Sequence, residues 1–216
     1  MRAQLHDYVN DNFVQEDDFL QTVRQETAQH GLPLINIDPY EGRILQVLVA
    51  MSGAKTVIEI GTLAGYSGIW IARGLPLDGK LITIEKSSKH ADLARSHFEQ
   101  AGLSDKVTVY QGNALQILRK IEHDAPYDMV FIDADKPNYV AYLEWAVDNL
   151  RIGGTVMAHN AFWAGRILSP NNGDDQGMIA FNDLLANHPQ LESTILEVGD
   201  GLAVGVKVRV SCFLIE

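Results

Sequence analysis

Thr56–Ser67 reads TVIEIGTLAGYS, and Gly68–Leu75 continues it as GIWIARGL. The first five residues are β-branched or apolar apart from Glu59, the composition of a strand whose side chains pack on a pleated surface. The run stops at Gly61, where the missing Cβ lets the backbone approach a ligand. Beyond Gly65 the apolar residues recur at helical spacing, so the stretch reads as strand, glycine loop and helix. Similar short runs recur at Leu81–Glu85, Val107–Gln111, Met129–Asp133 and Thr155–His159, each followed by a longer stretch with helical periodicity. That alternation predicts β-α-β units, and the mostly continuous apolar runs predict a parallel sheet covered by helices on both faces.

Open parallel sheets bind ligands outside the carboxyl ends of their strands. Glu59, Glu85, Asp133 and His159 all lie at or beside such ends and so converge on one expected cleft. Outward from this core, Glu16–His30 and Pro39–Ser52 read as amphipathic helices that pack on the sheet or on a second subunit. Past Asn160, the polar stretch Ser169–Gln176 leads into a helix ending at Asn187. Ser193–Val198 and Leu202–Val210 then flank Gly199-Asp200-Gly201, a hairpin turn that adds antiparallel strands at one end of the sheet. With no internal repeat and no linker, the whole of 1–216 is expected to be one domain, in which residues 1–38 form an N-terminal helical segment serving the acceptor site or a dimer.

Hydrophobic residues make up 46% and charged residues 21% of the 216, which excludes disordered, collagenous and coiled-coil classes. The net charge of −11 disfavours nucleic acid and anionic membranes as partners. A single cysteine, Cys212, allows no internal disulfide, and a cytoplasmic setting is the simplest expectation. The opening MRAQLHDYVNDNF lacks the basic and apolar regions of a signal peptide, and no apolar stretch reaches bilayer length.

The glycines of the first loop are spaced Gly-x-x-x-Gly, so neither the dinucleotide fingerprint nor the P-loop is present. Glu59 beside that loop would repel a pyrophosphate and attract a sulfonium, which suits S-adenosylmethionine. Glu85, at the tip of the second strand, is placed to accept hydrogen bonds from ribose hydroxyls. Asn113 either reads an adenine edge or caps the helix Ala114–Ile121, and both roles fit one residue.

Asp133-Ala134-Asp135-Lys136 places two carboxylates and an amine at the mouth of the same cleft. Asp133 with His159-Asn160 offers donors for a divalent cation, which would lower the pKa of an acceptor hydroxyl. Lys136, its pKa lowered by burial, is the candidate to take the proton. Trp163 could stack on a planar acceptor or cap the cofactor; Arg166 could meet an acidic substituent or be a solvated charge.

Val57–Trp70 (VIEIGTLAGYSGIW), Ile84-Glu85, Phe131–Lys136 (FIDADK), Asn160 with Trp163 and Gly165, and Gly199–Leu202 together resemble the cation-dependent O-methyltransferases of the caffeoyl-CoA and catechol type. The resemblance runs from about Pro39 onward. It implies a Rossmann-like class I methyltransferase, an α/β fold with a seven-stranded, mostly parallel sheet, in a homodimer. It also implies S-adenosylmethionine contacts at Ile37, Glu59, Gly61, Thr62, Ser67, Glu85, Ala114 and Asp135, with Asp133 bordering the same cleft. A metal on Asp133, position 159 and Asn160, and Lys136 as base, complete what it implies. The family has Asp-Asn where this chain has His159-Asn160, which exchanges a hard carboxylate for a borderline nitrogen and predicts a preference for manganese, iron, cobalt or zinc over magnesium. If the metal site were lost instead, His159 would serve as base or as a plain strand-end residue. The leading expectation is methyl transfer from S-adenosylmethionine to a small hydroxylated, catechol-like or polyketide-like acceptor. Two competitors stand beside it: methylation of hydroxyuridine in transfer RNA, and a non-catalytic S-adenosylmethionine-binding protein without a metal.

Overall fold

The computed structural model describes residues 2–14 and 16–208, with backbone alone at 2 and 3. Its contacts divide the chain into two compact units, Met1–Ile117 and Leu118–Glu216.

The first unit opens with helices α1 (Arg2–Phe13), α2 (Asp18–Gln29) and α3 (Pro39–Ser52). Helix α2 starts two residues later than its periodicity suggests, because Asp17 caps it by accepting from the Leu20 N–H at 2.9 Å. A capping box starts α3: Asp38 accepts from Tyr40 N–H, and Glu41 returns to accept from Asp38 N–H at 2.7 Å, with Pro39 preset at the first turn. Strands β1 (Thr56–Ile60), β2 (Lys80–Glu85) and β3 (Val107–Gln111) alternate with helices α4 (Tyr66–Gly74), α5 (Ser88–Gln100) and α6 (Ala114–Ile121). They lie in the order β3-β2-β1, all parallel. Ile60 pairs with Ile84, and Glu85 with Gln111, so Gly61, Glu85 and Gly112 come side by side at the strand ends.

Close approach of α3 and α4 depends on Gly42, where an added Cβ would fall 2.3 Å from the Trp70 indole nitrogen. Trp70 is fully buried and has no room to retreat. Gly42→Ala is therefore expected to destabilise the protein by about 1–3 kcal/mol, despite alanine's higher helix propensity, as read by urea denaturation. A stability equal to or above the parent's would contradict this packing.

The second unit contains β4 (Tyr127–Ile132), α7 (Tyr139–Asn149), β5 (Leu150–Ala158), α8 (Gly173–Asn187), β6 (Leu191–Leu196) and β7 (Leu202–Lys207). Its strand order is β4-β5-β7-β6, with β5 parallel to β4 and the β6–β7 hairpin antiparallel. The seven strands are the mixed, mostly parallel sheet expected, with the antiparallel hairpin at its C-terminal end. Boundaries differ where glycine or polar residues mislead. Strand β5 starts at Leu150, not Thr155, because the Gly153-Gly154 pair is absorbed as an irregularity between Tyr127 and Met129 of β4. Helix α8 starts inside the stretch read as a polar loop, because Asn172 accepts from the Asp175 N–H. The last strand ends at Lys207, and residues 209 and 210, like Cys212, lie outside the described residues. Among the described residues no helix is long and apolar enough to cross a membrane.

Candidate active site

In the first unit the loop after β1 is bound to its neighbours on three sides. Gly61, Leu63 and Gly65 all have positive φ, which bends the chain tightly between strand and helix. Glu59 is 0% exposed and accepts from Ser67 Oγ and Thr83 Oγ1, each at 2.6 Å. Since Thr83 spends its proton on Glu59, its oxygen accepts from the Thr62 hydroxyl. A buried carboxylate thus fixes both ends of the loop, a role not evident from its residue type alone.

Glu85 holds the same loop from β2. One of its oxygens accepts from Leu63 N–H at 2.9 Å and from Thr62 N–H at 3.3 Å; the other accepts from Ser87 N–H at 2.8 Å. Asn113 accepts from Gln116 N–H at 3.1 Å, which makes it the cap of α6, with the side chain otherwise exposed. Ala114 is half-buried behind it, and Ile37 is buried just before α3. Gly61 N–H donates to the Ile84 carbonyl at 3.0 Å and Gly112 N–H to the Glu85 carbonyl at 2.8 Å, which sets both glycines beside Glu85 at the strand ends.

In the second unit, strand register builds the cluster. Ile132 pairs with Ala158, and His159 N–H donates to the Ile132 carbonyl at 3.0 Å, so Asp133 and His159 leave the sheet side by side. His159 Nδ1 lies 3.5 Å from Asp133 Oδ2, and the Lys136 ammonium lies 3.6 Å from Asp133 Oδ1. Lys136 is 7% exposed; it donates to Asn160 Oδ1 at 2.9 Å and to the Tyr139 hydroxyl. Burial raises the Asp133 carboxyl, but His159 and then Lys136 outweigh it and hold it below the usual carboxylate value. Burial likewise lowers Lys136, against the opposing pull of Asp133 and, more weakly, Asp200 and Asp135. Asp135 is exposed and accepts from the Tyr142 hydroxyl at 2.8 Å.

Asp200, legible only as a turn residue, aims Asn160: it accepts from Asn160 Nδ2 at 3.1 Å and from Ala164 N–H at 2.7 Å, leaving Asn160 Oδ1 turned to Lys136. Asn160, Trp163 and Ala164 all adopt left-handed φ, strain that persists in non-glycine residues only where such contacts enforce it. Asp133, His159 and Asn160 supply a carboxylate oxygen, an imidazole nitrogen and an amide oxygen, and the ammonium held against two of them acts as a stand-in cation. This donor set fits a divalent metal of the borderline class. Among the described residues no three of His, Cys, Asp and Glu cluster to hold a metal, so Asn160 is needed as the third donor.

Asp175, unnoticed in the polar stretch, is the hub of the neighbouring loop. It is buried and accepts from Trp163 Nε1 and Asn171 N–H, both at 2.8 Å, while Arg166 Nε lies 3.3 Å away. The Arg166 guanidinium stacks 4.2 Å from the Trp163 ring centre, and the Lys136 ammonium lies 5.2 Å from it. Arg166 is therefore paired within the loop and is not a free solvated charge. The Asn171 N–H, with help from Trp163 and Arg166, holds Asp175 below its ordinary value of 3.8 against burial. The tie it makes is complete above 3.8 and is lost only as pH falls through that lower value. Asp175→Asn is expected to raise the acceptor KM roughly tenfold with cofactor affinity unchanged, as measured by initial rates and calorimetry. An unaltered acceptor KM would leave the cap over the cofactor as the reading of Trp163.

Residues 10–208 match the O-methyltransferase family model. The chain is 40% identical over 208 residues to a catechol O-methyltransferase of Niastella koreensis, covering 92% of this chain and 94% of that protein. It is 30% identical to caffeoyl-CoA O-methyltransferase 1 of Arabidopsis thaliana, covering 93% and 83% respectively. An O-methyltransferase of Bacillus cereus, solved in complex with S-adenosylhomocysteine, shares the fold at a TM-score of 0.89 and 40% identity, with 94% of this chain and 97% of that one covered. By family model, sequence identity and fold together, the chain belongs to the O-methyltransferase family.

Proposed function

We propose that this chain transfers the methyl group of S-adenosylmethionine to a hydroxyl of a small vicinal-dihydroxy aromatic or polyketide-like acceptor, with a divalent cation assisting. The observation that carries the reading is the convergence of Asp133, Lys136, His159 and Asn160 at the tips of two paired strands. In the first unit, the loop from Gly61 to Gly65, with Glu85, Ser67, Asn113 and Ala114, takes the nucleoside and methionine parts of the cofactor. In the second, Asp133, His159 and Asn160 would hold a divalent metal, which would lower the pKa of the acceptor hydroxyl. Asp200 orients the Asn160 amide, and Tyr139 steadies the Lys136 amine. Lys136 acts in its neutral amine form, which its burial favours, and accepts the hydroxyl proton to become the ammonium; the acceptor oxygen forms its bond to the methyl carbon, and the carbon–sulfur bond breaks to release S-adenosylhomocysteine. In the second unit Trp163, held by Asp175, bounds the acceptor. The exposed apolar side chains of α1, among them Leu5, Tyr8 and Phe13, support pairing of two copies of the chain.

Calorimetric titration of the metal-free protein tests the metal. Manganese or cobalt is expected to bind more tightly than magnesium, and His159→Asp is expected to narrow that gap by restoring a hard oxygen. Absence of binding by any divalent ion, with activity indifferent to chelator, would sink this part of the proposal.

A further inference from the structure

We infer that His97 is a positioning residue for the cofactor loop, tying it to helix α2 through Glu26 so that cofactor affinity depends on both links. The inference rests on the proposal that this loop takes S-adenosylmethionine. Leu63 is held at φ +49 between two glycines that also have positive φ, a conformation that needs enforcement from outside the loop. Glu85 supplies it for the N–H groups of Thr62 and Leu63. The carbonyl of the buried Ala64 accepts instead from His97 Nδ1 at 2.7 Å. A buried carbonyl without a donor is costly, so this bond fixes the peptide that leads into Gly65 and α4.

The other side of the ring is engaged as well. His97 Nε2 lies 2.9 Å from Glu26 Oε2 on α2, and Phe19 of the same helix meets the imidazole edge-on at 6.4 Å. His97 is 0% exposed, a position that helical periodicity reserves for an apolar side chain, whereas Glu26 is 31% exposed on its side chain. A group that merely filled the space would need neither nitrogen. The imidazole instead uses both, one on the loop and one on the helix.

The two links separate by substitution in the full-length protein. His97→Gln places an amide where Nε2 was, keeping the reach to Glu26 and losing the donor to Ala64. His97→Asn does the reverse. His97→Gln is expected to raise the S-adenosylmethionine Kd roughly tenfold, with kcat at saturating substrates within roughly twofold of the parent. His97→Asn is expected to recover most of that affinity, and Glu26→Gln to weaken it roughly threefold. If His97→Gln does not fold, His97→Asn and Glu26→Gln decide between them. A Kd within twofold of the parent in Glu26→Gln and in any folded His97→Gln, while Glu85→Ala binds at least tenfold more weakly, overturns the inference and leaves the loop's role intact. Unchanged binding in Glu85→Ala as well overturns the loop's role, and the inference with it.

Discussion

Asp133→Ala is expected to reduce methyl transfer by at least a thousandfold, on the order expected when a proposed metal donor and a half-buried charge are removed together. Asp133 faces both His159, at 3.5 Å, and Lys136, at 3.6 Å. Without it Lys136 stays buried, and among the described residues its remaining hydrogen-bond partners, Asn160 and Tyr139, are neutral. The cost to stability is about 1–3 kcal/mol, because a largely buried ammonium loses its nearest anion. Asp133→Asn separates charge from shape: it keeps the side-chain volume and is expected to lose activity almost as fully. Thermal denaturation alongside turnover distinguishes the effects, and a folded Asp133→Asn with more than a tenth of parental turnover would contradict the assignment.

Lys136→Met is expected to lower kcat by roughly a hundredfold to ten-thousandfold, the usual range for a lost general base. Methionine retains an unbranched apolar stem and removes the amine, whose nitrogen lies 4.3 Å from the Tyr139 ring centre. Calorimetry is expected to show S-adenosylmethionine affinity within about threefold of the parent, since the cofactor loop lies on other elements. Lys136→Arg is expected not to rescue, because a guanidinium does not give up its proton and is too large for a site 7% exposed. A Lys136→Met enzyme with kcat within about threefold of the parent would leave proton acceptance to another group.

Residue types and their spacing made the parallel strands legible, because Val and Ile runs that stop at glycine or acid have few other readings. Pro39–Ser52 was legible to the residue, since Asp38, Pro39 and Gly53 mark its ends in their own chemistry. Strand β5 was not, because Gly153-Gly154 reads locally as a turn and only pairing with β4 carries the strand through it. Asp133, Lys136, His159 and Asn160 were visible as strand-tip residues. Their supporting partners were not: Asp200 lies 40 residues beyond Asn160, and Asp175 sits in a stretch rich in Asn and Gly. Glu85 was legible as a cofactor residue by position, yet its bonds to the Thr62 and Leu63 amides, which make it part of the loop's scaffold, depend on long-range geometry. His97 lies on a helix whose spacing says only that the face is buried.

Production of S-adenosylhomocysteine across a matrix of acceptors and metals tests metal-assisted methyl transfer by this chain. With S-adenosylmethionine, a vicinal-dihydroxy aromatic and manganese or cobalt, S-adenosylhomocysteine is expected in equal amount to mono-O-methylated product, abolished by chelator and by Asp133→Ala. Binding of S-adenosylmethionine without its turnover on any dihydroxy acceptor, whatever the metal, would contradict it.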